Sequence, residues 1–283
     1  MARVTQRRPV LRLSLDAEPR RRPDRLAGEE PLEIRLEGRA WSVTMRTPGR
    51  DFDLVAGFLV SEGVVTGRDD IAEIGYGPGV NPDGTASFNI VDVRLAAGVT
   101  PPDPARARQV YTSSSCGVCG TASIDAVRQT SVFDVAADPM RVDLPALLAM
   151  PDRLREAQRT FDATGGTHAA GLFAIGPGGQ NSRRPDLLDV AEDVGRHNAV
   201  DKVIGRALRD GGLPLTGTVL QVSGRASFEL VQKARMAGIP ALAAVSAPSS
   251  LAQELAAESG MLLAGFSRGR SVNVYAGSER VRT

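Results

Sequence analysis

Cysteine is scarce in this sequence: its 283 residues include only two, Cys116 and Cys119. One pair separated by two residues cannot build the disulfide framework that holds small secreted domains together. In a reducing compartment, a pair with this spacing is more often catalytic or metal-binding. The two cysteines are therefore the first candidate reactive groups of the chain.

Long apolar runs and a strong excess of one charge are also absent. No stretch approaches the roughly 20 apolar residues that a membrane span needs, and the N-terminus lacks the apolar core of a secretory signal. The formal net charge is only +1, so no field over the whole molecule favours nucleic acid or a membrane. We expect a cytoplasmic protein that binds neither.

Composition divides the chain into three parts. Residues 1–28 are rich in Arg and Pro and poor in aromatic residues, so they bury too little surface to offset the entropy of ordering. We expect a mobile tail, which is either a solvated extension or a docking arm for an acidic partner. A proline cluster near residue 104 predicts a boundary between domains at 29–104 and 105–283.

The first predicted domain is a small α+β roll. Apolar residues alternate at Leu32, Ile34 and Leu36 and again from Trp41 to Met45, which predicts a β-hairpin. Helical spacing follows over residues 51–61, and another strand is expected near residues 88–93. The overall fold class is therefore mixed α/β, with this roll preceding a larger three-layer domain.

The second domain begins with less regular patterns. We expect a helix from about Pro151, because proline suits the first helical turn. A hairpin is predicted from strands at 168–175 and 187–191. The next helix has an apolar stripe along one side, with Asp201 and Lys202 predicted to face away together with Arg206 and Arg209.

The last third of the sequence alternates short apolar strands with helices. Strands are predicted at 218–222, 240–245 and 261–265, with helices at 228–237 and 251–259. Right-handed crossovers between parallel strands place every strand-to-helix loop at one edge of the sheet, where ligands of open α/β sheets bind. The three loops expected there are 223–227, 246–250 and 266–270.

The two cysteines lie among small residues, three serines before Cys116 and Gly120 after Cys119, which leaves the sulfurs accessible. A helix beginning after the pair would favour the reactive thiolate. Sulfur relay is the favoured interpretation. Zinc binding would have to recruit His168 and His197, which are far apart in sequence. Thiol–disulfide exchange and a buried structural pair also remain alternatives.

Several cationic or titratable residues accompany these loops. His168 follows a Thr-Gly-Gly-Thr segment at the start of a predicted strand, and Arg196 and His197 lie at the start of a helix that Asp193 could cap. A helix N-terminus with such groups suits phosphate or pterin recognition. Guanidinium groups from the sheet edge would match phosphate oxygens and stack on flat rings; the candidates are Arg225, Arg268 and Arg270. No motif for a Rossmann cofactor site or a P-loop occurs.

Six motifs together resemble the formate dehydrogenase accessory sulfurtransferase family, FdhD. The resemblance runs from about Leu32 to Tyr275. The motifs are CGVCG at 116–120, TGGTHAA at 164–170, EDVGRHNAVDKVIG at 192–205, SGRASFELVQKA at 223–234, AVSAPSSLA at 244–252 and GFSRGRSVNVY at 265–275.

This resemblance implies a sulfurtransferase that takes sulfur from a cysteine desulfurase as a persulfide. It would pass the sulfur to the molybdenum bis-molybdopterin guanine dinucleotide cofactor before the formate dehydrogenase catalytic subunit receives that cofactor. By position, Cys116 becomes the persulfide carrier and Cys119 its helper. The family's cofactor-binding stretch falls on Phe266, Ser267, Arg268, Gly269, Arg270 and Ser271.

The resemblance also implies a homodimer and a larger domain similar to the cytidine deaminase fold. No structural metal is expected, because two cysteines without closely spaced histidines make a poor tetrahedral zinc site. Zinc-dependent deamination needs a His-x-Glu and a Pro-Cys-x-x-Cys motif. Here His168 is followed by two alanines, and Ser115 precedes Cys116. The deaminase fold is therefore expected without the deaminase reaction.

Overall fold

The computed structural model describes residues 4–80, 87–102, 130–175 and 185–283. Its first element is an antiparallel hairpin, which we call the arm, formed by β1 (Thr5–Ser14) and β2 (Ala17–Ala27). The sequence did not predict strands in these residues, and their mobility stays a prediction. Backbone pairing satisfies their hydrogen bonds although few of their side chains are buried, and composition alone does not reveal such pairing.

A four-stranded sheet follows the arm. Its strands are β3 (Glu30–Leu36), β4 (Arg39–Arg46), β5 (Ile71–Tyr76) and β6 (Ile90–Leu95), in the order β4-β3-β6-β5. The predicted hairpin is confirmed as β3 and β4, and the predicted third strand as β6, which runs parallel to β3. Strand β5 was not predicted.

Helix α1 (Asp51–Ser61) has the predicted bounds and packs against α4 (Arg196–Arg209). The two helices approach through glycines. A Cβ atom added at Gly57 would lie 1.9 Å from the carbonyl oxygen of Asp201, and one at Gly205 would lie 1.8 Å from that of Asp53. No residue larger than glycine fits at this crossing without moving a backbone.

A six-stranded sheet forms the centre of the larger part. It consists of β8 (His168–Ala174), β9 (Asp186–Asp193), β10 (Thr218–Val222), β11 (Ala241–Ala244), β12 (Leu262–Arg268) and β13 (Ser271–Ala276), in the order β13-β12-β11-β10-β8-β9. Strands β10, β11 and β12 are parallel and are connected through α5 (Phe228–Met236) and α6 (Ser250–Glu258). The βαβαβ prediction is confirmed, and the antiparallel edge strand β13 is an addition to it.

Helix α2 (Leu144–Ala157) corrects the prediction of a helix that begins near Pro151. The helix starts directly after the short strand β7 (Val142–Asp143), with Pro145 in its first turn and Pro151 in its interior. Three buried apolar residues on α2 outweigh the backbone hydrogen bond that the interior proline removes: Leu147, Met150 and Leu154. The short helix α3 (Arg159–Thr164) follows, and β14 (Val281–Arg282) pairs with β7.

Helix α4 also differs from its predicted orientation. Asp201 and Lys202 were expected to face away from the core, but each is only 2% exposed. Lys233 lies 2.8 Å from Asp201, and Asp193 lies 2.7 Å from Lys202, so both charges are paired inside the protein. Arg206 and Arg209 are largely exposed, as predicted.

The six-stranded sheet is covered on both faces, which gives a three-layer arrangement. One face packs on α2, and the opposite face packs on α4, α5 and α6. The hydrophobic core on the face covered by α4, α5 and α6 continues through α1 to the four-stranded sheet. The division into two domains stays a prediction. Within the described ranges, no helix has the length and apolarity to cross a membrane.

Candidate functional site

Three loops meet at the carboxyl edge of the parallel strands. The Ser246 amide donates to the Gly224 carbonyl at 3.3 Å, the Ser249 amide to the Ala226 carbonyl at 3.0 Å, and the Phe266 amide to the Ser246 carbonyl at 3.2 Å. The loops 223–227, 246–250 and 266–270 therefore converge, as the strand order predicted.

Beside these loops lies a cleft of about 620 Å³. One wall comes from α2 and α3 and the segment after them, and the other comes from the ends of β10, β11 and β12 and the start of β8. Three predicted site residues line the cleft: His168, Ser267 and Arg268. Arg155, Gln158 and Phe161 line it too, and the sequence did not indicate them.

The end of β12 has an unusual backbone that sets the direction of its side chains. Phe266 has φ 51°, in the left-handed region that aromatic residues rarely adopt, and the pairing of β12 with β13 shifts register between Gly265 and Arg268. Such a bulge changes which way the next side chains point, and strained backbone of this kind clusters at binding sites. Ser267 and Arg268 therefore owe their position at the cleft to this bulge.

Ser267 is completely buried, and its hydroxyl finds no hydrogen-bond partner within the part of the chain that the structure describes. A buried polar group left in this state costs free energy, so it needs a further partner. Because Ser267 lines the cleft, a bound molecule there could provide one.

His168 begins β8, directly opposite Asp193 at the end of β9. Burial, followed by the neighbouring side chains of Arg196 and His197, lowers the pKa of His168, and Asp193 only partly opposes the shift. At neutral pH the imidazole is therefore uncharged and can both donate and accept a hydrogen bond. A Cβ at Gly224 would lie 3.5 Å from the His168 ring and 3.9 Å from Arg196, so these residues share one corner of the loop cluster.

His197 has a different set of neighbours. Its Nε2 atom lies 2.7 Å from Glu229 and 3.3 Å from Ser227, both at the start of α5. His197 thus connects the first turns of α4 and α5, and it is not among the residues that line the cleft. Its predicted role in cofactor binding stays a prediction.

Asp193 is not the helix cap that the sequence allowed. Gly195 is the N-cap of α4, whereas Asp193 is fully buried at the end of β9. Its carboxylate pairs with Lys202 and accepts hydrogen bonds from the Thr47 amide at 3.0 Å and the Gly195 amide at 2.8 Å. Burial raises the pKa of Asp193, while Lys202 opposes that shift. This buried pair fixes the start of α4, and with it Arg196, beside the cleft.

Four further predicted site residues are not among those that line the cleft. Arg225 and Arg270 are exposed on the loops, and neither lines the cleft. Gly269 and Ser271 flank Arg270 in the turn between β12 and β13. Cys116 and Cys119 lie outside the described residues. Among the residues that are described, no cluster of acidic or histidine side chains could hold a metal ion.

Comparison with known proteins gives consistent matches. The model of the FdhD/NarQ family matches residues 27–282. A sulfur carrier protein FdhD from Streptomyces avermitilis is 58% identical over 282 residues, covering 99% of this chain and 97% of the relative. The protein of the same name from Mycobacterium tuberculosis is 54% identical over 284 residues, covering 99% of this chain and 100% of the relative.

A solved structure shares the fold. The crystal structure, described as that of a formate dehydrogenase accessory protein from Desulfotalea psychrophila, superposes with a TM-score of 0.73 at 24% identity, covering 99% of this chain and 100% of that one. It supports the mixed α/β architecture found here. From the family match and from relatives more than half identical over almost the full length, this chain belongs to the FdhD/NarQ family.

Proposed function

We propose that this chain is a sulfurtransferase that supports formate dehydrogenase by carrying sulfur as a persulfide on Cys116. The observation that carries the proposal is the 58% identity, over 99% of the chain, to a relative named as a sulfur carrier protein. The Cys-x-x-Cys motif among serines and glycines supplies a nucleophile suited to that role.

The transfer follows the chemistry of thiol–disulfide exchange. The Cys116 thiolate attacks the terminal sulfur of a persulfide on a cysteine desulfurase, and the bond between that sulfur and the donor cysteine breaks. The donor leaves as a thiolate and takes up a proton, while Cys116 becomes the persulfide. Cys119 acts as the helper that receives or resolves this sulfur.

The recipient in this proposal is the molybdenum bis-molybdopterin guanine dinucleotide cofactor, bound as a substrate. A cleft of about 620 Å³ has the usual size of a small-molecule site. Arg268 offers a charged group for phosphate oxygens, and neutral His168 and the unpartnered hydroxyl of Ser267 offer hydrogen bonds. We further propose that the protein acts as a homodimer in the cytoplasm.

Mass analysis after incubation with a cysteine desulfurase and cysteine tests the role of Cys116. The wild-type chain should gain about one sulfur atom, which peptide mapping should place on Cys116. Cys116→Ala should gain none and should fail to mature formate dehydrogenase, whereas Cys119→Ala, the matched control, should still be loaded.

Two results would contradict the proposal. The roles are wrong if the added sulfur maps to Cys119, or if Cys116→Ala still produces active formate dehydrogenase. One zinc ion per chain by elemental analysis, with no gain of sulfur, would favour the zinc-binding alternative instead.

A further inference from the structure

The arm extends away from the rest of the protein. Every residue from Leu11 to Pro23 is exposed. Its contacts with the body lie at the base, where β2 packs on α3. At about 3.3 Å per residue, strands of this length span about 33 Å. The family model begins at residue 27, after most of the arm.

The charges of the arm are not balanced within the arm. Residues 5–27 include seven arginines, three acidic residues and no lysine. Within the described residues, the arm's own ion pairing consists of Arg22 and Asp24 at 3.7 Å. Arg7 lies directly opposite Arg25, and Arg12 lies opposite Arg20. Because like charges in facing positions destabilise a strand pair, an anionic partner would stabilise this hairpin.

The arrangement of side chains favours a protein surface over a membrane or a nucleic acid. A membrane-binding element separates its apolar and charged faces, but here Val10 is opposite Arg22 on one face and Leu11 is opposite Arg21 on the other. Binding to the phosphates of a nucleic acid relies on cations alone and would leave the exposed leucines of the arm in water. Exposed leucines mixed with arginines, without lysine, resemble the composition of protein interfaces; they are Leu11, Leu13 and Leu15.

The arm offers side chains rather than backbone to a partner. Pro9 lies opposite Pro23, and Pro19 follows the turn. Proline has no N–H group, so these positions interrupt the series of backbone N–H donors with which another strand would pair. Recognition by guanidinium groups, which bind carboxylates in a bidentate manner, fits better than addition of a strand.

The base of the arm lies next to the cleft. A Cβ atom added at Gly166 would lie 3.3 Å from the Ala27 side chain, and Gly166 lines the cleft together with His168 and Arg268. A protein bound along the arm would therefore be held close to the mouth of the cleft.

We propose that the arm is the docking surface for a carboxylate-rich face of the enzyme that receives the cofactor, the formate dehydrogenase catalytic subunit. The proposal rests on the proposed function, because only then does the cleft hold something to deliver. Docking on the arm orients the acceptor over the cleft, and the arginines supply long-range attraction that speeds the encounter.

Binding measurements with the full-length chain test this assignment. Arg12→Gln, Arg20→Gln and Arg21→Gln are combined in one variant, and the matched control combines Arg39→Gln, Arg68→Gln and Arg141→Gln, which are exposed on the body. Both variants lose the same charge. The arm variant should bind the cofactor-free catalytic subunit about tenfold more weakly, since three exposed charge pairs are lost, whereas the control should bind like the wild type. The difference should shrink at high ionic strength.

Binding of the same variants is also measured to three other partners. These are the cysteine desulfurase, vesicles of equal parts phosphatidylcholine and phosphatidylglycerol, and a mixed-sequence DNA duplex. Equal loss of affinity in both variants, or no loss in either, would overturn the proposal. So would a loss confined to the desulfurase, the vesicles or the DNA. Sulfur loading of Cys116 by the desulfurase is measured in parallel. If loading is intact while the arm variant binds normally, the arm proposal fails and the proposed function stands.

Discussion

At the scale of single residues, the structure separates two arginines that the sequence treated alike. Both arginines are exposed, but Arg268 lines the cleft beside the buried hydroxyl of Ser267, whereas Arg270 lies in the following turn, outside the cleft lining. A guanidinium group that contacts phosphate in a partly enclosed site contributes more than one in open solvent.

Guanosine diphosphate should therefore bind to this chain, and its affinity should depend on Arg268. A hydrogen bond to a charged group contributes about 1.5–3 kcal/mol, so Arg268→Ala should weaken binding about ten- to a hundredfold. Arg270→Ala is the matched control and should have little effect. Isothermal titration calorimetry measures both. A larger loss with Arg270→Ala would place the phosphates outside the cleft.

Residue-level prediction succeeded where the chemistry depends on chain order and failed where it depends on tertiary packing. The sequence did not indicate that His168 lies at this edge, because it did not give the place of β8 in the sheet. Ser267 and Arg268 could be placed there because strand order brings the loop 266–270 to that edge. Arg155 and Phe161 could not, because nothing in sequence specifies how α2 and α3 lie across that edge. Asp201 and Lys202 were predicted outside the core because a helical stripe assumes one solvent face, and α4 is covered on nearly all sides.

At the scale of elements, the crossing of α1 and α4 is determined by glycine. Gly57→Ala and Gly205→Ala should each destabilise the protein by about 1–3 kcal/mol or more, because the added methyl group meets backbone atoms that cannot rotate away. Urea unfolding curves measure the change.

The control for this prediction is Gly75→Ala in β5, where a Cβ atom would meet nothing within 4 Å. That substitution should leave the midpoint of unfolding almost unchanged. Wild-type stability in Gly57→Ala would mean that the two helices are less closely packed than the structure indicates.

Elements with strong local signals were predicted almost to the residue. Helix α1 and strand β10 have the predicted bounds because apolar spacing and flanking glycines agree there. The arm, β5 and β13 were missed since their strands are largely exposed and lack the alternation of a half-buried strand. The predicted start of helix α2 lies too far along the chain, because the prediction gave Pro151 more weight than the apolar residues around it.

At the scale of the whole molecule, the small and large sheets are joined by buried and partly buried polar contacts as well as by an apolar core. Asn198 of α4 donates to the Met45 carbonyl at 2.7 Å, Lys202 donates to the Thr47 carbonyl at 2.8 Å, and Arg50 pairs with Asp189 at 2.6 Å. The larger hydrophobic cluster runs without interruption from β3 and β6 through α1 and α4 to β10. Neither sheet could separate from the other without exposing part of that cluster.

We therefore expect the two sheets to unfold in one cooperative transition, although a proline cluster lies between them in sequence. The chain has a single tryptophan, Trp41, which is 7% exposed in the four-stranded sheet. Its fluorescence reports that sheet, while far-UV circular dichroism reports mainly the helices of the larger part. In urea the two curves should coincide, which is the usual test of two-state behaviour.

Lys202→Met, which leaves Asp193 as a buried unpaired charge, should lower the free energy of unfolding by about 3–5 kcal/mol. Both curves should then move to lower urea together. If the tryptophan signal changes at lower urea than the circular dichroism, the four-stranded sheet unfolds independently, and the interface at α1 and α4 contributes less than its buried contacts imply.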